Sequence, residues 1–193
     1  MPAEDQATEQ LDRGPGRAAL WQVGGSALEE SSPFSDVLTA NERFAASYRS
    51  GGLKGRARRG LAVLTCMDSR IDPLAMLGLA PGDAKILRNA GARVSDDVLR
   101  TLVLASCLLG VDRVMIVAHT DCRMTVEDEA HVHDAIAAAG GPDTRSLSFL
   151  IAKDVHASLA GDVQKVRSFP YLHDLAVAGF LYHLETGRLE HIE

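Results

Sequence analysis

Three short apolar runs with helical segments between them constrain the fold of this chain more than any other feature. Residues 61–65 (LAVLT), 84–87 (AKIL) and 113–118 (RVMIVA) are short and almost continuously apolar, as strands buried on both faces are. Because helices alternate with these runs, right-handed crossovers must join the strands. The sequence therefore predicts a single-domain α/β fold in which helices flank a mostly parallel β-sheet.

The predicted helices follow from apolar side chains at three- and four-residue steps and from end signals. Ser95, followed by Asp96 and Asp97, is typical of an N-cap with acidic residues in the first turn. Residues 177–189 predict a strand, a turn and a short strand that pairs antiparallel at the sheet edge. The predicted helices cover residues 33–48, 73–79, 95–110, 130–139 and 148–160.

The 193-residue length favours one compact domain. Residues 1–32 are polar and glycine-containing with no sustained period, and we predict that they form a flexible N-terminal arm. Residues 33–193 then form the folded α/β domain. With 20 basic and 26 acidic side chains the formal charge is -6, so we expect neither nucleic acid nor a membrane surface as a partner.

The apolar runs, the first residues and the number of cysteines indicate the cellular compartment of the protein. The chain lacks an apolar run long enough to span a bilayer, and its first residues lack the order of a signal peptide. We therefore expect a cytoplasmic protein. An odd number of cysteines, Cys66, Cys107 and Cys122, speaks against a disulfide framework in that compartment.

Metal-binding residue types follow two of the predicted strands. Cys66 comes directly after residues 61–65, and His119 with Cys122 comes directly after residues 113–118. In an open parallel sheet, ligands gather outside the carboxyl ends of the strands. Two thiolates and an imidazole are a donor set for Zn²⁺, with a fourth position left for water or another ligand. The pattern thus predicts a catalytic zinc site, which makes residues 33–193 a zinc-binding α/β catalytic domain.

Charged and small residues accompany these ligands. Asp68 and Arg70 lie two and four residues beyond Cys66, where a carboxylate can accept a hydrogen bond from water or occupy the fourth position itself. A guanidinium fork from Arg70 would keep Asp68 ionised and off the metal. Ala90 and Gly91 end the second strand at the same edge, where small residues allow backbone N–H groups to approach a substrate. An ordinary strand-to-loop turn explains these two residues nearly as well.

Four blocks resemble the β-class carbonic anhydrases in content and order. They are CMDSR at 66–70, RNAG at 88–91, HTDC at 119–122, and VAGFLY at 177–182 with TG at 186–187. The resemblance implies that Cys66, His119 and Cys122 bind zinc and that Asp68 and Arg70 form the catalytic dyad that gates the fourth position. It also implies an obligate homodimer or a higher homo-oligomer, with the site at the subunit boundary and the N-terminal arm on the neighbouring subunit.

One position departs from the family pattern. Arg123 follows the second cysteine of the cluster, where members of the family usually carry glycine. A long cation beside a metal ligand points away from the substrate pocket, crowds it or draws an anion into it. The leading hypothesis is zinc-dependent, reversible hydration of carbon dioxide to bicarbonate. The alternatives are a related zinc hydrolase of carbonyl sulfide or carbon disulfide, and a non-catalytic zinc-stabilised dimer that binds an anion or a protein partner.

Overall fold

The computed structural model describes residues 32–49, 51–126 and 128–192. The chain divides into two compact units, Met1–Arg49 and Ser50–Glu193. In the first unit, helix α1 spans Ser35–Ser47 and buries none of its residues. The predicted flexible arm, residues 1–32, lies outside the described residues except for Ser32, and the proposed domain boundary after residue 32 stays a prediction.

The second unit is built on a five-stranded sheet of strand order β2-β1-β3-β4-β5. The first four strands in this order are parallel, and β5 pairs antiparallel to β4 at the edge. This arrangement confirms the predicted mostly parallel sheet and its antiparallel edge. The strands are β1 (Leu61–Cys66), β2 (Ala84–Asn89), β3 (Arg113–His119), β4 (Ala176–His183) and β5 (Arg188–His191).

The described part of this unit has four α-helices, and α3 begins and ends as its sequence predicts. The Ser95 side chain accepts a hydrogen bond from the Val98 N–H at 3.4 Å, and Gly110 ends the helix in the left-handed region at φ 73°. Within the described ranges, no helix has the length and apolar character needed to cross a membrane. The helices are α2 (Pro73–Met76), α3 (Asp96–Leu109), α4 (Glu129–Ala138) and α5 (Val155–Arg167).

Strand β1 lies in the middle of the core, and all six of its residues are buried. Leu64 packs on one face with Leu102 of α3 and Val163 of α5. Val63 packs on the other face with Val117, next to partly buried side chains around α2. Because both faces are covered, the central strands must be apolar at successive positions. The same burial fixes the carboxyl ends of β1 and β3 side by side.

The structure corrects one predicted helix. Residues 148–160 were expected to be helical, but α5 begins at Val155 and ends at Arg167. The Glu129 carboxylate accepts hydrogen bonds from the Ser148 hydroxyl and from the two N–H groups that follow it, at 2.7–2.9 Å. Leu150 then adopts a left-handed φ of 53°, which a helix of L-residues excludes. Asp154 caps the helix that forms instead.

Candidate metal centre

The three predicted ligands converge at the carboxyl ends of neighbouring parallel strands. Cys66 is the last residue of β1 and His119 the last residue of β3, while Cys122 lies three residues further along the loop. Their ligand atoms all lie within 4.8 Å of one another. Both strand-end residues are buried, with 5% of Cys66 and 2% of His119 exposed. Sheet topology thus brings together residues that are more than fifty positions apart in sequence.

The imidazole of His119 is oriented for coordination. Its Nδ1 lies 2.8 Å from the Thr120 carbonyl oxygen, and because a carbonyl can only accept, Nδ1 carries the proton. The lone pair is then on Nε2, which is buried and has no hydrogen-bond partner among the described residues. A buried polar atom left without a partner costs about 1–3 kcal/mol. A metal ion at Nε2 would remove that cost.

The thiol of Cys122 lies in surroundings that oppose its ionisation, which a bound cation would favour. Burial raises the pKa of Cys122 to about 11, and the nearby Cys66 sulfur acts in the same direction. The Cys66 Sγ accepts a hydrogen bond from the Gly91 N–H at 3.4 Å. Two sulfurs and one free imidazole nitrogen are the donors that Zn²⁺ prefers. The residues present therefore fit a zinc ion.

Asp68 and Arg70 form a forked ion pair beside these ligands. Arg70 donates from Nε to Oδ1 at 3.0 Å and from Nη2 to Oδ2 at 2.7 Å, and its backbone N–H reaches Oδ1 at 2.9 Å. The side-chain and backbone bonds from Arg70 hold the pKa of Asp68 well below its usual range. Oδ2 lies 3.9 Å from the free Nε2 of His119. An ionised carboxylate thus faces the donor cluster.

Asp121 is a second partner of Arg70 that the sequence analysis missed. Arg70 donates from Nη1 to the Asp121 carboxylate at 2.7 Å and from Nη2 to its carbonyl at 3.1 Å. Asp121 adopts a left-handed φ of 54°, a conformation that aspartate tolerates better than most residues. Its position between His119 and Cys122 was the available signal. The guanidinium is consequently fixed by two carboxylates rather than one.

Arg88 is another missed residue, and it fixes the backbone of the loop after β1. Its Nε donates to the Cys66 carbonyl at 2.9 Å and its Nη2 to the Asp68 carbonyl at 2.6 Å. Within the RNAG block, the sequence analysis assigned Ala90 and Gly91 to the substrate pocket and gave Arg88 no role. An arginine at the end of β2, next to the end of β1 in a parallel sheet, was the signal that pointed to this contact.

The three predicted substrate-pocket residues lie in different settings. Gly91 is buried at φ 76°, and a Cβ there would lie 3.1 Å from the Met124 Cβ. Its N–H group approaches the Cys66 sulfur, as described above, and Ala90 begins the same short turn. Arg123 is exposed and has no hydrogen bond or ion pair with any described residue. The assignment of these residues to a substrate pocket stays a prediction.

A partly buried arginine ties the Gly91 turn to α5 and to the segment before this helix. Arg93 donates from Nε to the Asp162 carboxylate and from Nη1 to the Leu150 and Ile151 carbonyls, each at 2.7 Å. The side chains of Arg93 and Asp162 are 18% and 8% exposed. The Asn89 amide brackets the Arg93 backbone, accepting from its N–H at 2.9 Å and donating to its carbonyl at 2.7 Å. The turn that supplies the Gly91 N–H is therefore fixed on both sides.

We expect Arg93→Met to lower the free energy of unfolding by roughly 3–5 kcal/mol, because it leaves the Asp162 carboxylate buried and uncompensated. Urea denaturation followed by circular dichroism measures the loss. Arg145→Met is the matched control, since the Arg145–Asp143 pair is 2.6 Å long but 80% and 61% exposed, and exposed pairs contribute about 0–1 kcal/mol. Equal losses in both variants would contradict the role given to Arg93.

The chain is similar to carbonic anhydrases in sequence and in structure, and to a carbon disulfide hydrolase in sequence. The carbonic anhydrase family profile matches residues 61–189. The β-carbonic anhydrase 1 of Mycobacterium tuberculosis is 29% identical over 168 residues, which cover 81% of this chain and 96% of that protein. A carbon disulfide hydrolase of Acidianus sp. is 47% identical over 157 residues, covering 68% and 76%. The crystal structure of carbonic anhydrase from Streptococcus mutans superposes with a TM-score of 0.78 at 32% identity, covering 84% and 98%.

Proposed function

Because the chain belongs to the β-class carbonic anhydrase family, we propose that it is a zinc enzyme that catalyses the reversible hydration of carbon dioxide to bicarbonate. One observation carries the proposal. A ring nitrogen of His119 lies within 4.8 Å of the Cys66 and Cys122 sulfurs, and the buried Nε2 of this ring has no hydrogen-bond partner among the described residues. We assign the three residues as the ligands of Zn²⁺.

Zinc bound there would supply Lewis-acid activation of water near neutral pH. The chain's own residues would position that water. Asp68 stays ionised in the Arg70 fork and so acts only as a hydrogen-bond acceptor. It would accept a hydrogen bond from the nucleophile and so orient the nucleophile's lone pair towards the carbon of the substrate. Arg70 and Asp121 keep the carboxylate from rotating away.

The assignments of substrate pocket, compartment and oligomeric state rest on the family and on exposed apolar side chains of the described residues. We assign Ala90, Gly91 and Arg123 to the substrate pocket, and we propose that the protein works in the cytoplasm as a homodimer. Helix α1 supports the dimer, because its apolar side chains are exposed, including Val37 and Leu38 at 57% and Phe44 at 60%. Burial of such side chains against a second copy is favourable.

A second candidate is hydrolysis of carbon disulfide or carbonyl sulfide. The 47% identity to the Acidianus carbon disulfide hydrolase favours it. The chemistry is closely related, since the nucleophile attacks the carbon of a linear molecule in each case, and pocket shape decides between the substrates. Arg123 is the residue in this chain that motivates the comparison.

A stopped-flow assay separates these functions. Zinc-loaded wild type and Arg123→Gly are assayed for carbon dioxide hydration and for sulfide release from carbon disulfide and carbonyl sulfide, with zinc quantified in each sample. We expect hydration to be much faster than sulfide release in wild type. Because Arg123 is exposed and has no partner among the residues that the structure describes, we expect Arg123→Gly to retain zinc and to change hydration by less than about tenfold. Faster sulfide release would favour the second candidate, and one zinc per chain without either activity would favour the non-catalytic dimer.

A further inference from the structure

A second concave site lies at the opposite end of the sheet from the candidate metal centre. It is a cavity of about 760 Å³ next to Gly60 and Asp112, which directly precede β1 and β3. Strand β1 separates it from Cys66 by six residues, or roughly 20 Å. We call this site the basic cleft, after its four cationic lining residues, Lys54, Arg56, Arg58 and Arg59.

Positive charge is concentrated in the basic cleft although the chain as a whole is acidic. Of the described residues that line the cleft, Asp112 alone has a carboxylate. Asp83 lies beside the cleft and pairs with Arg58 at 2.7 Å. By contrast, Lys54 and Arg56 have no hydrogen-bond or ion-pair partner among the described residues. Asp83 also interacts electrostatically with Arg59. Four cations against the carboxylates of Asp83 and Asp112 leave the cleft with a net positive charge among the described residues.

The backbone beneath these cations is fixed, which distinguishes the cleft from a basic tail. Ala57 is buried, and its N–H donates to the Leu109 carbonyl at 2.9 Å. The Arg58 and Arg59 N–H groups donate to the carbonyls of Gly82 and Asp83 at 3.0 and 2.9 Å. Charged side chains on a backbone that is fixed by hydrogen bonds lose less conformational freedom on binding a ligand than those of a flexible tail do.

A glycine creates room for the central guanidinium. A Cβ at Gly110 would lie 2.7 Å from Nη2 of Arg56, so any larger residue would displace that side chain. Gly110 also needs its left-handed φ of 73° to end α3. The same residue therefore ends the helix and leaves a place for Arg56 on the wall of the cleft.

The chemistry of these groups selects the ligand class. Guanidinium groups bind phosphate oxygens in pairs, and an ammonium group adds a point charge. A cavity of this size accommodates a small organic molecule. We propose that the basic cleft binds a phosphate-bearing small molecule through Lys54, Arg56 and Arg59. This proposal is independent of the proposed carbonic anhydrase activity, since none of these residues belongs to the metal centre.

Isothermal titration calorimetry of the full-length, zinc-loaded protein tests the proposal, with ADP as the probe and adenosine as the probe without phosphate. Ionic strength is kept constant with sodium chloride. We expect saturable binding of ADP, no binding of adenosine, and at least tenfold weaker ADP binding by Arg56→Ala/Arg59→Ala. Arg145→Ala, which removes an exposed arginine elsewhere on the surface, should bind ADP as wild type does.

Two results would overturn the proposal. One is no saturable binding of ADP to wild type at millimolar concentration, and the other is undiminished binding by the double variant, which would place the anion elsewhere, for example at the metal centre. Lys54→Glu is a second test in case the double variant does not fold. Lys54 is exposed and has no partner among the described residues, so its replacement should leave the fold intact. We expect this charge reversal to weaken ADP binding at least threefold, and unchanged affinity would also count against the cleft.

Discussion

Cys66→Ser is expected to lose zinc and to lower kcat/KM for carbon dioxide hydration by at least about 10³-fold, because a hydroxyl is a poor replacement for a thiolate ligand. Cys66 is 5% exposed and sits at the end of a strand buried along its whole length. Serine there is nearly isosteric, so the fold should survive the change. Zinc quantification after dialysis and a stopped-flow hydration assay measure the two losses.

Cys107→Ser is the matched control. Cys107 lies on α3 and is exposed, and we give it no part in the metal centre. This variant should keep one zinc per chain and hydration within about twofold of wild type, as most surface substitutions away from a site do. Full zinc content together with full hydration activity in Cys66→Ser would refute both the ligand assignment and the proposed function.

Most of the sheet and the donor cluster are predictable from the sequence because they depend on short-range patterns. Buried parallel strands must be apolar at successive positions, so residues 61–65 and 113–118 stand out. Their carboxyl ends necessarily share one edge of the sheet. Cys66 and His119 are strand-end residues, and so their proximity follows from topology without any knowledge of side-chain packing.

What could not be predicted depends on hydrogen bonds between distant segments. The carboxylate of Glu129 accepts hydrogen bonds from the N–H groups of residues 20 and 21 positions away, and these bonds keep the segment before α5 out of the helix. The contact between Arg70 and Asp121 spans 51 positions. Helix periodicity and capping rules describe interactions between residues a few positions apart. They therefore cannot predict hydrogen bonds between segments that are distant in sequence.

Asp68→Asn is expected to retain zinc and yet lower kcat/KM for hydration by about 10²–10³-fold, which separates the dyad from the ligands. The asparagine amide has the shape of the carboxylate, but an NH₂ donor replaces one acceptor oxygen. The amide is also neutral, so its ion pair with Arg70 is lost. Arg70 would keep its bond to Asp121, 2.7 Å long in the structure, and so remain in place. Stopped-flow hydration with zinc quantified in the same sample measures the effect.

Asp97→Asn is the control for this change, since it also removes an aspartate paired with an arginine. The Asp97 and Arg100 side chains are 73% and 67% exposed on the first turns of α3, so the loss of their ion pair should change stability by at most about 1 kcal/mol and leave hydration unaltered. Hydration at the wild-type rate in Asp68→Asn would remove Asp68 from the reaction. Parallel loss of zinc and activity would instead make Asp68 a residue that retains the metal, with the nucleophile oriented by another group.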